Sequence, residues 1–169
     1  MGRFVLALII GGCFSCFYAW RESKLASHAD STPQRISAAE LIAKGPGDNA
    51  NIELTDYLDL SYSFVVQEKG SRWIKCWVPV VELNGPFHNQ LKELPENTAP
   101  DRFPTPHNIK IIAVSSKARN EDDLARIFSA PALQGLVIND IESLGTKERD
   151  ILARSFPGTN FKDVYLIDL

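Results

Sequence analysis

Residues 73–83, WIKCWVPVVEL, carry the strongest strand pattern in the chain and decide its fold class. Successive side chains of a strand alternate between its two faces. One face then carries Ile74, Cys76, Val78 and Val80, and the other carries Trp73, Trp77 and Val81. Because both faces are largely apolar, we expect this strand to be covered on both sides or to bend. Pro79 has no backbone N–H, which indicates a sheet edge or a bulge at that residue.

Helix and strand patterns around this segment predict an α+β domain. Ser37 and Glu40 form a capping box that begins a helix, and Gly45 ends it. The further predicted strands are residues 52–55, 60–67, 109–115, 135–139 and 163–169, and two more helices follow Asn120 and Thr146. Three adjacent strands followed by mixed elements favour a small, largely antiparallel sheet with two to three helices. A barrel-like closure of the oligonucleotide/oligosaccharide-binding type is an alternative form of this order.

The apolar run of residues 4–20, FVLALIIGGCFSCFYAW, contains no charged side chain. As a helix it would be about 25 Å long, near the lower limit for crossing a hydrocarbon core of about 30 Å. Tyr18 and Trp20 end the run, and Arg21 follows directly, as is typical of residues at a membrane interface. We therefore predict a single-pass transmembrane signal anchor at residues 1–21, with the lipid bilayer as the partner of residues 4–20.

Two other interpretations of the N-terminal segment remain open. Arg3 and the small residues that end at Ala29 also fit a secretory signal cleaved before Asp30. Residues 10–13, IGGC, resemble a bacterial lipobox, in which Cys13 would be lipidated. Lys and Arg after the run mildly favour a cytoplasmic C-terminal part, whereas cleavage would place that part outside. The side of the membrane is therefore left open.

Beyond the anchor, the sequence predicts a flexible stalk and one domain. Residues 22–36 are polar and lack an apolar period, which is typical of a stalk. Residues 37–169 suffice for a single α+β domain with its own core. Within it, residues 84–107 contain five prolines and little periodicity, so we expect a long Pro-rich loop. Loops of this length often carry function.

Composition and motifs exclude several functional classes. The net charge is −3 and the basic residues are scattered, so no nucleic-acid-binding surface is indicated. Outside the apolar run Cys76 is the sole cysteine, which excludes a disulfide framework within one chain. The common nucleophile-elbow, phosphate-loop, zinc-protease and dinucleotide motifs are missing from the sequence. We therefore expect a noncatalytic protein with no catalytic residues, no metal site and no cofactor.

The turn at residues 45–49, GPGDN, is the most unusual stretch of the predicted domain. Two glycines followed by Asp and Asn can direct successive backbone N–H groups toward one point and hold an anion. Gly47, Asp48 and Asn49 are the ligand-binding candidates. A helix stop followed by a tight turn into the next strand also explains each of these residues, and this simpler interpretation is favoured.

Three segments together carry a resemblance to a known group of proteins. They are GPGDN at residues 45–49, LTD at residues 54–56 and RWIKCWVPVVEL at residues 72–83. Over residues 41–83 the chain resembles uncharacterised bacterial single-span membrane-anchored proteins that share a GPGDN…LTD segment. The resemblance implies an anchored domain and no particular activity.

Two functional hypotheses follow from these features. The favoured one is a membrane-tethered, noncatalytic accessory or protein-interaction domain, with a partner patch formed by Trp73, Trp77 and Phe103. The alternative is a membrane-anchored ligand-binding or hydrolytic domain. Its acid/base groups would be Asp48, Asp56, Asp59 and His107. The two differ in whether those four side chains converge in one pocket.

Overall fold

The segment that the sequence singles out is a long strand on which the sheet is built. The computed structural model describes residues 29–99, 102–104, 106–138 and 146–169. Its strands are β1 (Gln34–Ser37), β2 (Asn51–Thr55), β3 (Tyr57–Asp59), β4 (Val65–Lys69), β5 (Arg72–Glu82), β6 (Ile111–Ser115), β7 (Leu133–Ile138) and β8 (Tyr165–Asp168). Its helices are α1 (Ala38–Lys44), α2 (Pro86–Lys92), α3 (Glu121–Phe128) and α4 (Thr146–Ser155), and 3-10 turns lie at Ser61–Ser63 and Phe161–Asp163.

All eight strands belong to one mixed sheet that curls into a half-barrel. The order across the sheet is β1-β2-β7-β8-β6-β5-β3, and β4 also pairs with β5. Two pairings, β1 with β2 and β6 with β8, are parallel, and the other five are antiparallel. The α+β prediction is confirmed. The sheet is mixed, however, and the described residues form four helices instead of two to three.

The core lies on both faces of the sheet. On one face β5 contributes Cys76, Val78 and Val80, which pack with α1 and α3 in a cluster that also holds Leu41, Ile52, Leu54, Ile111, Leu124 and Phe128. On the other face Trp77 packs under α4 in a cluster with Val65, Ile112, Val114, Leu152, Phe156 and Leu166. Burial of apolar area on both faces stabilises the fold by about 25 cal/mol per Å². The expectation that β5 is covered on both sides is confirmed.

A β-bulge at Ile74 corrects the predicted facing of Trp73. Gln67 lies opposite Lys75 while Glu68 lies opposite Trp73, so Ile74 is an extra residue in β5. An extra residue reverses the alternation of side chains before it. Trp73 therefore packs on the Cys76 face, with its ring centroid 5.2 Å from that of Phe64. The prediction that Trp73 shares a face with Trp77 is wrong.

Pro79 lies where β5 changes partners on one of its edges. Along this edge β4 pairs with residues up to Trp77, and β3 pairs with Val80 to Glu82. The Pro79 carbonyl accepts from the Leu60 N–H at 2.9 Å, so the nitrogen of Pro79 faces the same edge. The missing N–H thus falls in the gap between β3 and β4 and leaves the pairing with β6 intact.

Two segments are more ordered than the sequence predicts. Gln34–Ser37 pairs in parallel with Ile52 to Thr55, so the end of the predicted stalk belongs to the sheet. Pro86–Lys92 forms a helix inside the predicted Pro-rich loop. Its Pro86 occupies the first turn, where a helix has no partner for that N–H and proline is favoured. Proline at this position marks a helix start.

The first helix begins as predicted. The Ser37 hydroxyl accepts from the Glu40 N–H at 3.2 Å, and the Glu40 carboxylate accepts from the Ser37 N–H at 3.2 Å. The Ser37 hydroxyl also donates to the Glu40 carboxylate at 3.0 Å. The two bonds that this carboxylate accepts, from the N–H and the hydroxyl of Ser37, lower the pKa of Glu40. Gly45 ends the helix with φ of +75°, a conformation that glycine adopts readily.

The predicted anchor at residues 1–21 lies outside the described residues. None of the four helices in the described residues has both the length and the apolar character of a membrane span.

Replacement of Gly135 by alanine is expected to destabilise the sheet by about 1 to 3 kcal/mol, because the added methyl group would overpack the gap between β7 and β8. A Cβ at this position would lie 2.5 Å from the Asp168 carbonyl oxygen. Urea unfolding of the full-length protein in detergent micelles measures the change as a lower midpoint with an unchanged slope. The exposed neighbour Gln134→Ala is the control and should shift stability by less than about 0.5 kcal/mol. Equal midpoints for the two variants would contradict the close approach.

Candidate functional site

The side chain of Asn49, in the GPGDN turn, uses three of its four hydrogen-bonding positions to hold the chain together. Its Oδ1 accepts from the backbone N–H groups of Asp30 at 3.0 Å and Asn51 at 2.9 Å. Its Nδ2 donates to the Thr32 carbonyl at 3.0 Å. The side chain is 9% exposed. Asn49 therefore fastens the segment before β1 to the start of β2 and has little capacity left for a ligand.

The other two residues of the predicted ligand site face solvent. Gly47 has φ of +66°, and a Cβ built on it would meet no atom within 4 Å. Asp48 is exposed. The geometry fits a helix stop followed by a turn whose last residue, Asn49, has a structural role.

The four acid/base candidates of the alternative hypothesis are dispersed. Asp59 accepts from the Ser61 N–H at 3.2 Å in an Asx turn. Asp56 accepts from the hydroxyl of Thr55 at 3.3 Å. His107 Nδ1 lies 3.3 Å from the Pro157 carbonyl oxygen. The described residues contain no cluster of three or more His, Cys, Asp or Glu suited to a metal ion. The structure thus gives no support for a shared catalytic pocket.

The predicted partner patch is also divided. Trp77 is 1% exposed and packs under α4, whereas Trp73 lies on the opposite face of the sheet. Phe103 packs edge to face on Tyr62, with ring centroids 5.0 Å apart. Burial raises the pKa of Tyr62 to about 12. The contact shows that this part of the Pro-rich loop docks on the 3-10 turn between β3 and β4.

A groove of about 320 Å³ lies where the Pro-rich segment meets the end of β5. We call it the Phe87 groove. It is lined by Ile42 of α1, Val80, Val81 and Glu82 of β5, Pro86 and Phe87 of α2, and Pro106, His107, Asn108, Ile109 and Lys110 before β6. Phe87 is half-buried and Pro106 is buried. Apolar walls with polar groups at the rim are typical of binding grooves.

A second depression of about 370 Å³ adjoins the groove and shares Ile42 and Lys110 with it. We call it the Lys162 trough, and its other lining residues are Lys162, Asp163, Val164 and Tyr165. Lys110 Nζ lies 4.0 Å from Asp163 Oδ2, which also accepts from Asn160 Nδ2 at 2.6 Å. The trough therefore combines two ammonium groups, one carboxylate and one phenol.

Of the residues that line the groove, the sequence analysis named only His107 as a candidate functional residue. It named none of the others. Phe87, Lys110, Lys162 and Tyr165 come from four separate segments that only the sheet order brings together. One signal was available for the groove, since Gly85-Pro86 marks a helix start and places Phe87 in the first turn.

Comparison with known proteins identifies no relative of this chain. No protein-family model, curated protein or solved structure matches it. Cys76 is buried with its Sγ 3.5 Å from the Ser115 carbonyl oxygen, and burial raises the pKa of its thiol, as expected for an unreactive core cysteine.

Replacement of Asn49 by alanine is expected to loosen the segment before β1. The substitution removes three hydrogen bonds and leaves partly buried donors without partners, at a cost of about 1 to 3 kcal/mol. Hydrogen exchange of the Asp30 and Asn51 amides should become faster. Asp48→Ala is the matched control, because Asp48 is exposed. Unchanged exchange in Asn49→Ala would show that the turn is not held by this side chain.

Replacement of Phe103 by alanine is expected to lower the pKa of Tyr62 from about 12 toward 10.0, its ordinary value, because the phenol gains water. In the intact protein, the folded state holds the Tyr62 proton more tightly than the unfolded state does. The Tyr62 contribution to stability is therefore fully present below about pH 10 and lost as pH rises toward about 12.

Ultraviolet titration of tyrosinate measures this shift, with Tyr62→Phe identifying the Tyr62 signal. Phe87→Ala serves as the control and should leave the Tyr62 titration unchanged. The same high pKa in Phe103→Ala would contradict a burial effect of the docked loop.

Proposed function

We propose that this protein is a membrane-tethered, noncatalytic interaction domain. In this proposal residues 4–20 anchor in the bilayer and the Phe87 groove binds an apolar segment of a protein partner. The Phe87 groove itself is the observation that carries the proposal. The charge-free apolar run of residues 4–20, followed directly by Arg21, supports the tether.

The composition of the groove favours a protein segment over a reacting substrate. Pro86 and Phe87 supply the accessible apolar surface, and Pro106 and Ile109 are buried residues of the lining. The two prolines restrict their own backbone. A rigid wall loses little conformational entropy when a partner binds. Glu82, His107 and Lys110 contribute polar groups that can orient a bound peptide.

The dispersal of the acidic residues favours binding over catalysis. General acid/base chemistry needs the acid, the base and the reacting atom within hydrogen-bond reach. His107 lines the groove, whereas Asp56 and Asp59 engage neighbouring groups in the turns around β3. We therefore expect the full-length protein to hydrolyse no common ester, phosphate or glycoside substrate.

Photo-crosslinking in native membranes tests the proposed groove. A benzoylphenylalanine placed at Phe87 of the full-length protein is expected to give a discrete adduct that mass spectrometry identifies as one protein. The same residue placed at Ile74 is the control, because Ile74 is 39% exposed at the opposite end of β5. Its crosslinks should be weaker and unselective.

The competing outcomes are distinct. Adducts that are the same at both positions, or missing at Phe87, would contradict the groove assignment. Recovery of the intact chain, including Met1, without detergent in the soluble fraction would contradict the membrane tether. Turnover of a substrate that His107→Ala abolishes would favour the hydrolytic alternative.

A further inference from the structure

The Lys162 trough lies at the end of the sheet where the chain enters the domain. Strands β2, β6 and β8 run in the same direction, since β2 and β8 are both antiparallel to β7 and β6 is parallel to β8. Lys110 directly precedes β6, and Tyr165 begins β8. The entering chain at Asp30 and Thr32 is hydrogen-bonded to Asn49, just before β2. All these groups share one end of the sheet.

The proposed tether brings this end close to the bilayer. The chain from Arg21 to Ala29, about nine residues, spans at most about 30 Å even when fully extended. Asp30 is fastened to Asn49 and Asn51. If residues 4–20 lie in the bilayer, the trough is therefore held within reach of lipid headgroups. This step rests on the proposed function.

The trough has the donors that a phosphate group needs. Asp163 is paired with Lys110 and Asn160, whereas the Lys162 ammonium has no partner among the described residues. Each ammonium offers three donors. The Tyr165 hydroxyl adds another and lies against Gly45, where a Cβ would come within 3.1 Å of it. Among the described residues that line the trough, two cations and one carboxylate give a single net positive charge.

We propose that the Lys162 trough binds the phosphate of an anionic phospholipid headgroup. The ammonium groups of Lys110 and Lys162 and the hydroxyl of Tyr165 contact the phosphate oxygens. Ile42, which is partly exposed, forms the apolar wall against the glycerol carbons. Anionic leaflets attract basic side chains near their surface. In this proposal the trough directs that attraction to Lys110 and Lys162.

Lysine acetylation of the full-length protein in nanodiscs tests this assignment. Discs of phosphatidylcholine alone are compared with discs that also contain phosphatidylglycerol. With the anionic lipid, acetylation of Lys110 and Lys162 should slow by about fivefold or more, because the rate follows the unbound fraction of the site. Lys44 and Lys69 serve as controls within the same molecule.

Each control isolates one explanation. Lys44 is exposed in the last turn of α1, near the same end, and reports the general surface potential. Lys69 lies in the β4–β5 hairpin at the far end. If the acetylation of Lys44 slowed equally, the effect would be a nonspecific attraction to the anionic surface, and the proposal would be overturned. Unchanged rates at all four lysines would overturn it as well.

Further arms distinguish the source of the phosphate and the contribution of each side chain. Glycerol phosphate added to phosphatidylcholine discs should give little protection. Full protection there would assign the trough to a soluble phosphate ester and overturn the lipid assignment. Lys162→Gln should abolish the protection of Lys110, whereas Lys117→Gln, at the opposite end of β6, should preserve it. The opposite pattern would contradict a shared site.

Failure of this inference is distinguishable from failure of the proposed function. A protein that does not co-elute with discs of either composition contradicts the tether, and the lipid assignment falls with it. A protein that co-elutes but shows no selective protection contradicts the trough alone. The crosslinking result at Phe87 is independent of both.

Discussion

The pairing of β5 with three other strands is the constraint on which the rest of the structure depends. Its eleven residues reach from the β4 hairpin to the β3 pairing on one edge, while β6 pairs along the middle of the other. Both faces of β5 are apolar because each face packs in a separate core cluster. The partner change on its outer edge is possible because Pro79 needs no hydrogen bond there.

This arrangement also positions the two surface depressions. The end of β5 and the start of β6 bring the Pro-rich segment against α1, and the parallel pairing of β6 with β8 places the residues before each strand side by side. Lys110 and Tyr165 become neighbours through that pairing. Parallel strands bring their leading ends to one edge of a sheet, so residues distant in sequence meet there. The groove and the trough are thus products of topology.

Local signals explain which parts of the fold the sequence predicts. The capping box of Ser37 and Glu40, the cap at Asn120 and the alternation around Val78 act over a few residues, and all three are present in the structure. The facing of Trp73 depends on a bulge set by pairing with β4, and β1 depends on pairing with β2, so neither leaves a local pattern. The candidate site was largely beyond prediction for the same reason, since its residues converge only through strand order.

The bonds of Asn49 have a mechanical consequence. A pull on the N-terminal segment reaches the sheet through Asp30 and Thr32 before it reaches β1. Because β1 runs parallel to β2, a force along the strand axis loads their hydrogen bonds together in shear instead of opening them one at a time. Traction applied to the segment before β1 is therefore resisted by several hydrogen bonds that must break together.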